Sequence, residues 1–170
     1  HQYFPADDSA NFDKVAVHFS SDDGETWTAP QVIKIDALPE GMRFPFDPTL
    51  VPLPDGRLRL YFTGNYGRTF ERTAPKIHSA VSNDGVNYTF EPGVRFEVEG
   101  YMTIDCAVAL HDGVFHLFVP HNGHVRRPGW GQSESPGEGA GYHATSKDGL
   151  TFARTDDVRI EGRRRWLGNA

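Results

Sequence analysis

The sequence predicts an all-β protein. Short apolar runs alternate with Asp-Gly turns along the 170 residues, and no convincing amphipathic helix interrupts them. The 18 glycines and 12 prolines fit strands joined by tight turns. A chain of this length is long enough to form one domain with its own hydrophobic core.

A short turn motif occurs three times. Ser-x-Asp-Gly-x-x-aromatic is found at 21–27, 82–88 and 146–152, each time after a strand-like run. Asp-Gly between two such runs is typical of a hairpin, because glycine accepts a positive φ at low cost. The acidic residues are therefore predicted to form structural turns rather than a metal or catalytic site. The near-constant spacing indicates repeated structural units.

A second repeat lies between these turns. FDPTLVPLPDGRLRLYFTG (46–64) aligns with IDCAVALHDGVFHLFVPHNG (104–123), and LGNA (167–170) resembles a third start with Gly168 in the aspartate's place. Each full unit predicts four strands in about 60 residues, and four-stranded units in series are typical of the blades of a β-propeller.

The repeats predict about two and a half blades. Residues 1–35 supply the outer half of a blade, 46–98 and 104–160 each supply a complete blade, and 161–170 begin the next. Because such an open array leaves sheet faces uncovered, we expect a fragment of a five- or six-bladed propeller that packs on the remaining blades of its chain. The alternative is a short chain that closes by self-association.

Composition excludes several classes of protein. The net charge of −6 and the absence of a dominant basic face argue against a nucleic-acid partner. No apolar run approaches the ~18 residues of a membrane span. Cys106 is the single cysteine, so no intrachain disulfide can form, and we expect this side chain to be buried.

Strand polarity predicts where chemistry would lie. Asp47 and Asp105 head the first strand of successive blades, which lines the central channel of a propeller. We expect them to converge at the end of the channel opposite the Ser-x-Asp-Gly turns. Two carboxylates sharing a small site can have separated pKa values, as catalytic acid and base groups need. The alternative is that each aspartate only bonds backbone at the start of its strand.

Two long loops, 64–75 and 120–141, are predicted at the same end as these aspartates. Their aromatic and hydrogen-bonding side chains suit a sugar, and long loops are often functional. His121 and His124 have the spacing of a metal pair, but no third ligand is evident, so neither a metal nor another cofactor is expected. The candidate substrate-binding residues of these loops are Asn65, Tyr66, Arg68, His121, Asn122 and Trp130.

Two known patterns resemble parts of this chain. The first turn, extended to begin at Ser20, resembles the Asp-box (BNR repeat) Ser-x-Asp-x-Gly-x-Thr-Trp of sialidases and other propellers. The segment 46–64 resembles the blade opening of five-bladed glycoside hydrolases of families 43 and 32. The residues that match the Asp-box are Ser20, Asp22, Gly24, Thr26 and Trp27.

The family 43 resemblance implies an aspartate base, a second aspartate that orients and tunes, and a glutamate acid. It carries over onto Asp47 and Asp105 only. If Asp47 is the base, Gly168 stands where the acid would fall; if Asp47 is the second aspartate, Asp105 stands where the glutamate is expected and the base would lie in a missing blade. The sialidase resemblance implies that Arg43, in Met42-Arg43-Phe44-Pro45, grips a substrate carboxylate, as an arginine fork can. The other two arginines and the tyrosine nucleophile of sialidases have no clear counterparts.

These patterns together predict a carbohydrate-active propeller that hydrolyses glycosidic bonds through Asp47 and Asp105, with an oligo- or polysaccharide as substrate. We expect it to act outside the cell or in the periplasm, although no signal peptide is visible in a chain that begins at His1. The alternatives are a non-catalytic propeller that binds glycans or proteins, and an exo-sialidase-like enzyme.

Overall fold

Every regular element of the described chain is a β-strand. The computed structural model describes residues 2–3, 14–42, 46–66, 74–121 and 140–161, and it contains no helix in these ranges, which confirms the all-β prediction. No helix long and apolar enough to cross a bilayer occurs there either. The strands are β1 (Gln2–Tyr3), β2 (Val15–Val17), β3 (Gln31–Val32), β4 (Lys34–Asp36), β5 (Phe46–Pro52), β6 (Leu58–Gly64), β7 (Lys76–Ser82), β8 (Asn87–Phe96), β9 (Ala107–His111), β10 (Val114–Pro120), β11 (Ala140–Ser146), β12 (Ala153–Arg154) and β13 (Val158–Arg159).

The strands form three sheets in chain order. The first sheet has the order β1-β2-β3, the middle sheet β4-β8-β7-β6-β5, and the last sheet β12-β11-β10-β9 with β13 also paired to β11. Neighbouring strands are antiparallel, as hairpin connections require, except that β4 pairs in parallel with the outer strand β8. This added strand was not predicted from the sequence.

Two hydrophobic clusters lie between successive sheets. Val15, Val17 and Ile33 of the first sheet region pack with Leu60 and Phe62 of the middle sheet. On its other face, the middle sheet packs against the last sheet in a larger cluster. Each sheet thus buries the apolar residues of one or both faces against a neighbour, and at ~25 cal/mol per Å² of apolar area this burial is the main favourable term for stacking the sheets. The members of the larger cluster are Val51, Leu53, Tyr61, Ile77, Phe96, Cys106, Val108, Phe115, Leu117, Val119, Tyr142 and Ala144.

The three serine-led turns share one hydrogen-bond plan. In the last turn, Ser146 Oγ donates to Asp148 Oδ1 at 2.8 Å and accepts the N–H of Gly149 at 2.9 Å, and Asp148 Oδ1 accepts the N–H groups of Leu150 and Thr151. Hydrogen bonds to a carboxylate stabilise its charged form, and they lower the pKa of Asp148 to about 2. The acidic residues of the motif therefore organise turns.

The first turn is one residue longer than the other two. Ser20 Oγ donates to Asp22 Oδ1 and accepts the N–H of Gly24, both at 2.8 Å, so Ser20 and Asp22 take the roles that the repeat alignment gave to Ser21 and Asp23. Asp22 also accepts the Thr26 hydroxyl at 2.6 Å. The first turn therefore has one residue more between its serine and its glycine than the two later turns.

The last turn docks on polar groups at the face of the middle sheet that meets the last sheet. Arg59 Nη1 donates to the carbonyl of Asp148 at 2.8 Å, and Tyr61 Oη donates to the carbonyl of Gly149 at 2.9 Å. Glu91 holds the buried Arg59 guanidinium in a two-pronged ion pair at 2.8 and 2.9 Å, a geometry that fixes its direction. These bonds fix the position of the last sheet relative to the middle sheet.

Candidate active site

Asp47 and Asp105 meet where the middle and last sheets touch. Asp47 is the second residue of β5, and Asp105 stands two residues before β9. These are edge strands of neighbouring sheets, and β5 contacts β9. A side-chain hydrogen bond to Asp47 and the charge of Asp47 both contribute to the raised pKa of Asp105, so the two carboxyl groups interact directly. Because ionised carboxylates only accept hydrogen bonds, one member of the pair must carry the proton.

Both aspartates adopt the same uncommon backbone conformation. The φ angle is +49° at Asp47 and +61° at Asp105, in the left-handed region that few residues other than glycine occupy. Such a conformation costs of order 1 kcal/mol and persists only where the surrounding structure imposes it. Two successive repeats therefore hold the backbone of their aspartates in the same way.

Threonine side chains fix the backbone around the pair. Thr63 Oγ1 accepts the N–H of Asp105 at 3.2 Å, and Thr49 Oγ1 donates to the carbonyl of Cys106 at 2.6 Å. Both bonds join the start of the last sheet to the middle sheet. Neither threonine was predicted from the sequence as part of the site, although Thr63 is the cross-strand partner of Phe46, next to Asp47.

Burial, followed by the hydrogen bond to Asp47 and its charge, raises the pKa of Asp105 to about 7. An ordinary aspartic acid is ionised at that pH. The carboxyl group of Asp105 therefore stays protonated to a higher pH in the folded chain than in the unfolded chain. Its contribution to the free energy of unfolding is largest below about pH 4 and declines as the pH rises through 7. The Asp105 carboxyl group is therefore about half protonated near pH 7.

Cys106 adjoins the pair but lies in the core. The prediction of burial is confirmed, and this burial raises the pKa of its thiol to about 12. A thiol that stays protonated at neutral pH is a poor nucleophile. Cys106 is therefore a packing residue.

A cavity of about 390 Å³ opens beside the connection from β8 to β9. Tyr66, 40% exposed, and Tyr101 line it. The Lys76–Glu97 ion pair, at 2.6 Å, provides charged groups in the same lining. Aromatic rings with polar neighbours are the surfaces that sugar rings contact through their apolar faces.

Two of the other predicted binding residues, His121 and Asn65, lie within the described residues. His121 packs edge-on against Tyr101 at 5.0 Å between ring centroids and lies 4.9 Å from Tyr142, so it contributes to the aromatic packing behind Tyr101. Asn65 is buried. The remaining candidates lie outside the described residues: Arg43, Arg68, Asn122 and Trp130.

No group of three or more His, Cys, Asp or Glu side chains that could hold a metal ion is found in the described ranges. No protein-family model matches the sequence, and no curated protein sequence matches it.

Three solved structures resemble the chain in fold. A family 117 glycoside hydrolase from the marine bacterium Zobellia galactanivorans matches with a TM-score of 0.57 and 16% identity, over 78% of this chain and 44% of that one. A protein of unknown function from Dyadobacter fermentans matches with a TM-score of 0.53 and 18% identity, over 72% and 42%. The Bombyx mori family 32 β-fructofuranosidase matches with a TM-score of 0.53 and 17% identity, over 78% and 26%.

The chain spans less than half the length of each of these proteins. At 16 to 18% identity the likeness concerns the fold alone. The chain therefore shares its all-β sheet arrangement with glycoside hydrolases of families 117 and 32.

Proposed function

We propose that this protein hydrolyses glycosidic bonds, with Asp47 and Asp105 as its acid–base unit. The observation that supports this most strongly is that two aspartates at equivalent repeat positions, both with a positive φ, meet where β5 contacts β9. A carboxylic acid that is still half protonated near pH 7 can deliver a proton to a leaving oxygen at the pH of most biological fluids. The shared fold of two glycoside hydrolases agrees with this reading.

The pair acts as one unit in this proposal. Acid and nucleophile or base stand about 5 to 9.5 Å apart in glycosidases, because the sugar or a water must fit between them. Hydrogen-bonded carboxyl groups are closer than that. One aspartate therefore tunes and orients the other, and the opposing catalytic group comes from outside the pair.

We infer the substrate class from the surroundings of Tyr66 and Tyr101, which line a cavity whose lining does not include Asp47 or Asp105. Their rings line a cavity with the charged groups of Lys76 and Glu97, and this combination suits the apolar face and hydroxyl edge of an oligo- or polysaccharide. A site of this kind also suits a glycan-binding protein without catalysis, which is the second candidate function. In either case we propose an extracellular or periplasmic setting and a propeller of four-stranded blades.

The two functions are separated by incubating the protein with a panel of neutral, uronic-acid-containing and sialylated oligosaccharides. Products are followed by chromatography with mass detection, and binding is followed by calorimetry. We expect release of shorter sugars from at least one member of the panel. Saturable binding without any product would contradict the hydrolase and leave the binding protein.

A further inference from the structure

His78 is a buried histidine in the wall of the cavity that Tyr66 and Tyr101 line. It is the third residue of β7, it is only 5% exposed, and it belongs to the lining of the cavity. Its ring contacts those of Phe62 and Phe90, with 6.2 and 5.8 Å between ring centroids. These aromatic contacts hold the imidazole in place, and the proposed acid–base pair does not use it.

The backbone of β8 fixes which nitrogen of His78 carries the hydrogen. The pairing of β7 with β8 shifts between Ile77 and Ser79, so extra residues of β8 lie opposite His78. One of them, Gly93, places its carbonyl oxygen 3.0 Å from His78 Nδ1. Because a carbonyl oxygen only accepts hydrogen bonds, Nδ1 must carry the hydrogen. In the neutral imidazole, Nε2 is then a hydrogen-bond acceptor.

The edge of the ring that carries Nε2 is open. Nε2 bonds to no described residue, and it is not among the buried side-chain atoms without a partner in that part of the chain, so it has access to open space. Gly64, which also lines the cavity, leaves room for it: a Cβ there would lie 2.6 Å from His78 Cδ2 and 3.3 Å from Nε2. The open space beside Nε2 is therefore the cavity.

The surroundings keep this imidazole neutral at pH 7. Burial lowers the pKa of His78, against the opposing effect of its bond to Gly93. The charges of Arg95 and Lys76 lower this pKa further, whereas that of Glu97 raises it. The ordinary pKa of histidine is about 6.5, so a lowered value leaves Nε2 unprotonated at neutral pH.

The described lining of the cavity carries more negative than positive charge. Its charged side chains are those of Lys76, Glu97 and Glu99, and Lys76 is already paired with Glu97 at 2.6 Å. The other titratable groups of this lining, besides His78, are the phenols of Tyr66 and Tyr101. Because like charges repel, this lining disfavours a carboxylated sugar and accepts a neutral one.

We propose that His78 determines the specificity of this cavity, by accepting at Nε2 a hydrogen bond from a hydroxyl group of a neutral sugar. This inference rests on the proposed function only to the extent that a sugar enters the cavity, with or without hydrolysis. An analogue that lacks the hydroxyl is rejected, because its binding would leave Nε2 buried without a partner. Uronic-acid-containing and sialylated sugars are rejected by the negative charge of the lining.

The test is calorimetric titration of the chain with the neutral sugar of the oligosaccharide panel that binds most tightly. His78→Asn keeps an N–H for the Gly93 carbonyl but removes the acceptor, so it should weaken binding about tenfold, the effect of one lost hydrogen bond. His78→Gln brings an amide oxygen near the position of Nε2 and should recover part of that loss. His111→Gln is the control, since the His111 side chain is 79% exposed and lies outside the cavity; it should bind as the wild type does.

Acid should weaken binding through His78. Protonation places a hydrogen on Nε2, so the affinity of the wild type should fall about tenfold for each pH unit below the pKa of His78. His78→Gln should lose this dependence, and Glu99→Gln, which removes a carboxylate of the same lining, should keep it. Circular dichroism verifies that each variant is folded. A merely structural role of His78 would not give rescue by glutamine together with loss of the pH dependence.

A nitrogen-15 NMR titration with glycerol separates this inference from the proposed function. Glycerol offers hydroxyl groups without being a sugar, and it should move the Nε2 resonance of His78 to saturation, but that of His111 only in proportion to its concentration. If His78 responds in this way while no sugar of the panel binds, sugar binding is excluded and the acceptor role stands. A His78 resonance indifferent to glycerol, or a folded His78→Asn variant that binds the sugar as tightly as the wild type, overturns the inference.

Discussion

Asp105→Asn is expected to lower the kcat of glycoside hydrolysis by at least about 100-fold. The amide preserves the shape of the side chain but has no proton to transfer, and a positioned acid or base contributes about 10²–10⁴-fold to rate. Initial rates on the best substrate of the oligosaccharide panel measure the effect. Because asparagine has nearly the same shape as aspartic acid and does not have to stay protonated in a buried position, the variant should fold as the wild type does.

The pH profile shows whether the two aspartates act together. Asp47→Asn removes the negative neighbour of Asp105, whose pKa should then fall, since the charge of Asp47 helps to raise it. The alkaline limb of kcat/KM would therefore move to lower pH. Asp112→Asn is the control, because Asp112 shares the left-handed conformation, with φ +48°, but lies exposed in the β9–β10 turn. An Asp105→Asn variant with more than half of the wild-type rate would exclude this residue from catalysis.

Gly149→Ala is expected to lower the free energy of unfolding by about 3 kcal/mol, through overpacking together with an unfavourable φ. The added Cβ would lie 2.5 Å from Arg59 Nη1 and 2.6 Å from Tyr61 Oη. Neither atom can move freely, because Arg59 is paired with Glu91 and Tyr61 is fully buried. Relief of the clash would break the hydrogen bonds that join the middle and last sheets.

Gly113→Ala separates the packing effect from the backbone effect. Gly113 has a similar φ, +76° against +70° for Gly149, but a Cβ there would meet no atom within 4 Å. Its substitution should cost only about 1 kcal/mol, the price of a positive φ for alanine. Urea denaturation measures both variants. Equal losses at the two glycines would show that the sheet interface at Gly149 is not tightly packed.

The repeat pattern explains why the strands and turns could be predicted. The alternation of apolar residues in strands and the Asp-Gly turns between them are local features of the sequence. The positions of β5 to β11 could therefore be predicted from residues such as those around Gly56 and Gly113. The parallel pairing of β4 with β8 carries no local signal, because it depends on where the chain returns after the first sheet. The repeat alignment began the first turn at Ser21, whereas the Asp-box resemblance began it at Ser20, and the hydrogen bonds of Ser20 agree with the second choice.

The candidate site was predictable in outline. Equivalent positions in the repeats single out Asp47 and Asp105, but the direct bond between them depends on how two sheets pack at their edges. The same holds for Thr63 and Thr49, whose hydrogen bonds cross from one sheet to the next. Side chains whose role is set by a partner distant in sequence cannot be recognised from local pattern alone.

The measurement that tests the central claim most directly is a carbon-13 NMR titration of the aspartate side-chain carboxyl groups. We expect one resonance, assigned to Asp105 by its loss in Asp105→Asn, to titrate near pH 7 in the wild type and at a lower pH in Asp47→Asn. If Asp105 instead titrates near pH 4 in the wild type, or if its titration is indifferent to the substitution of Asp47, then the two carboxyl groups do not share a proton.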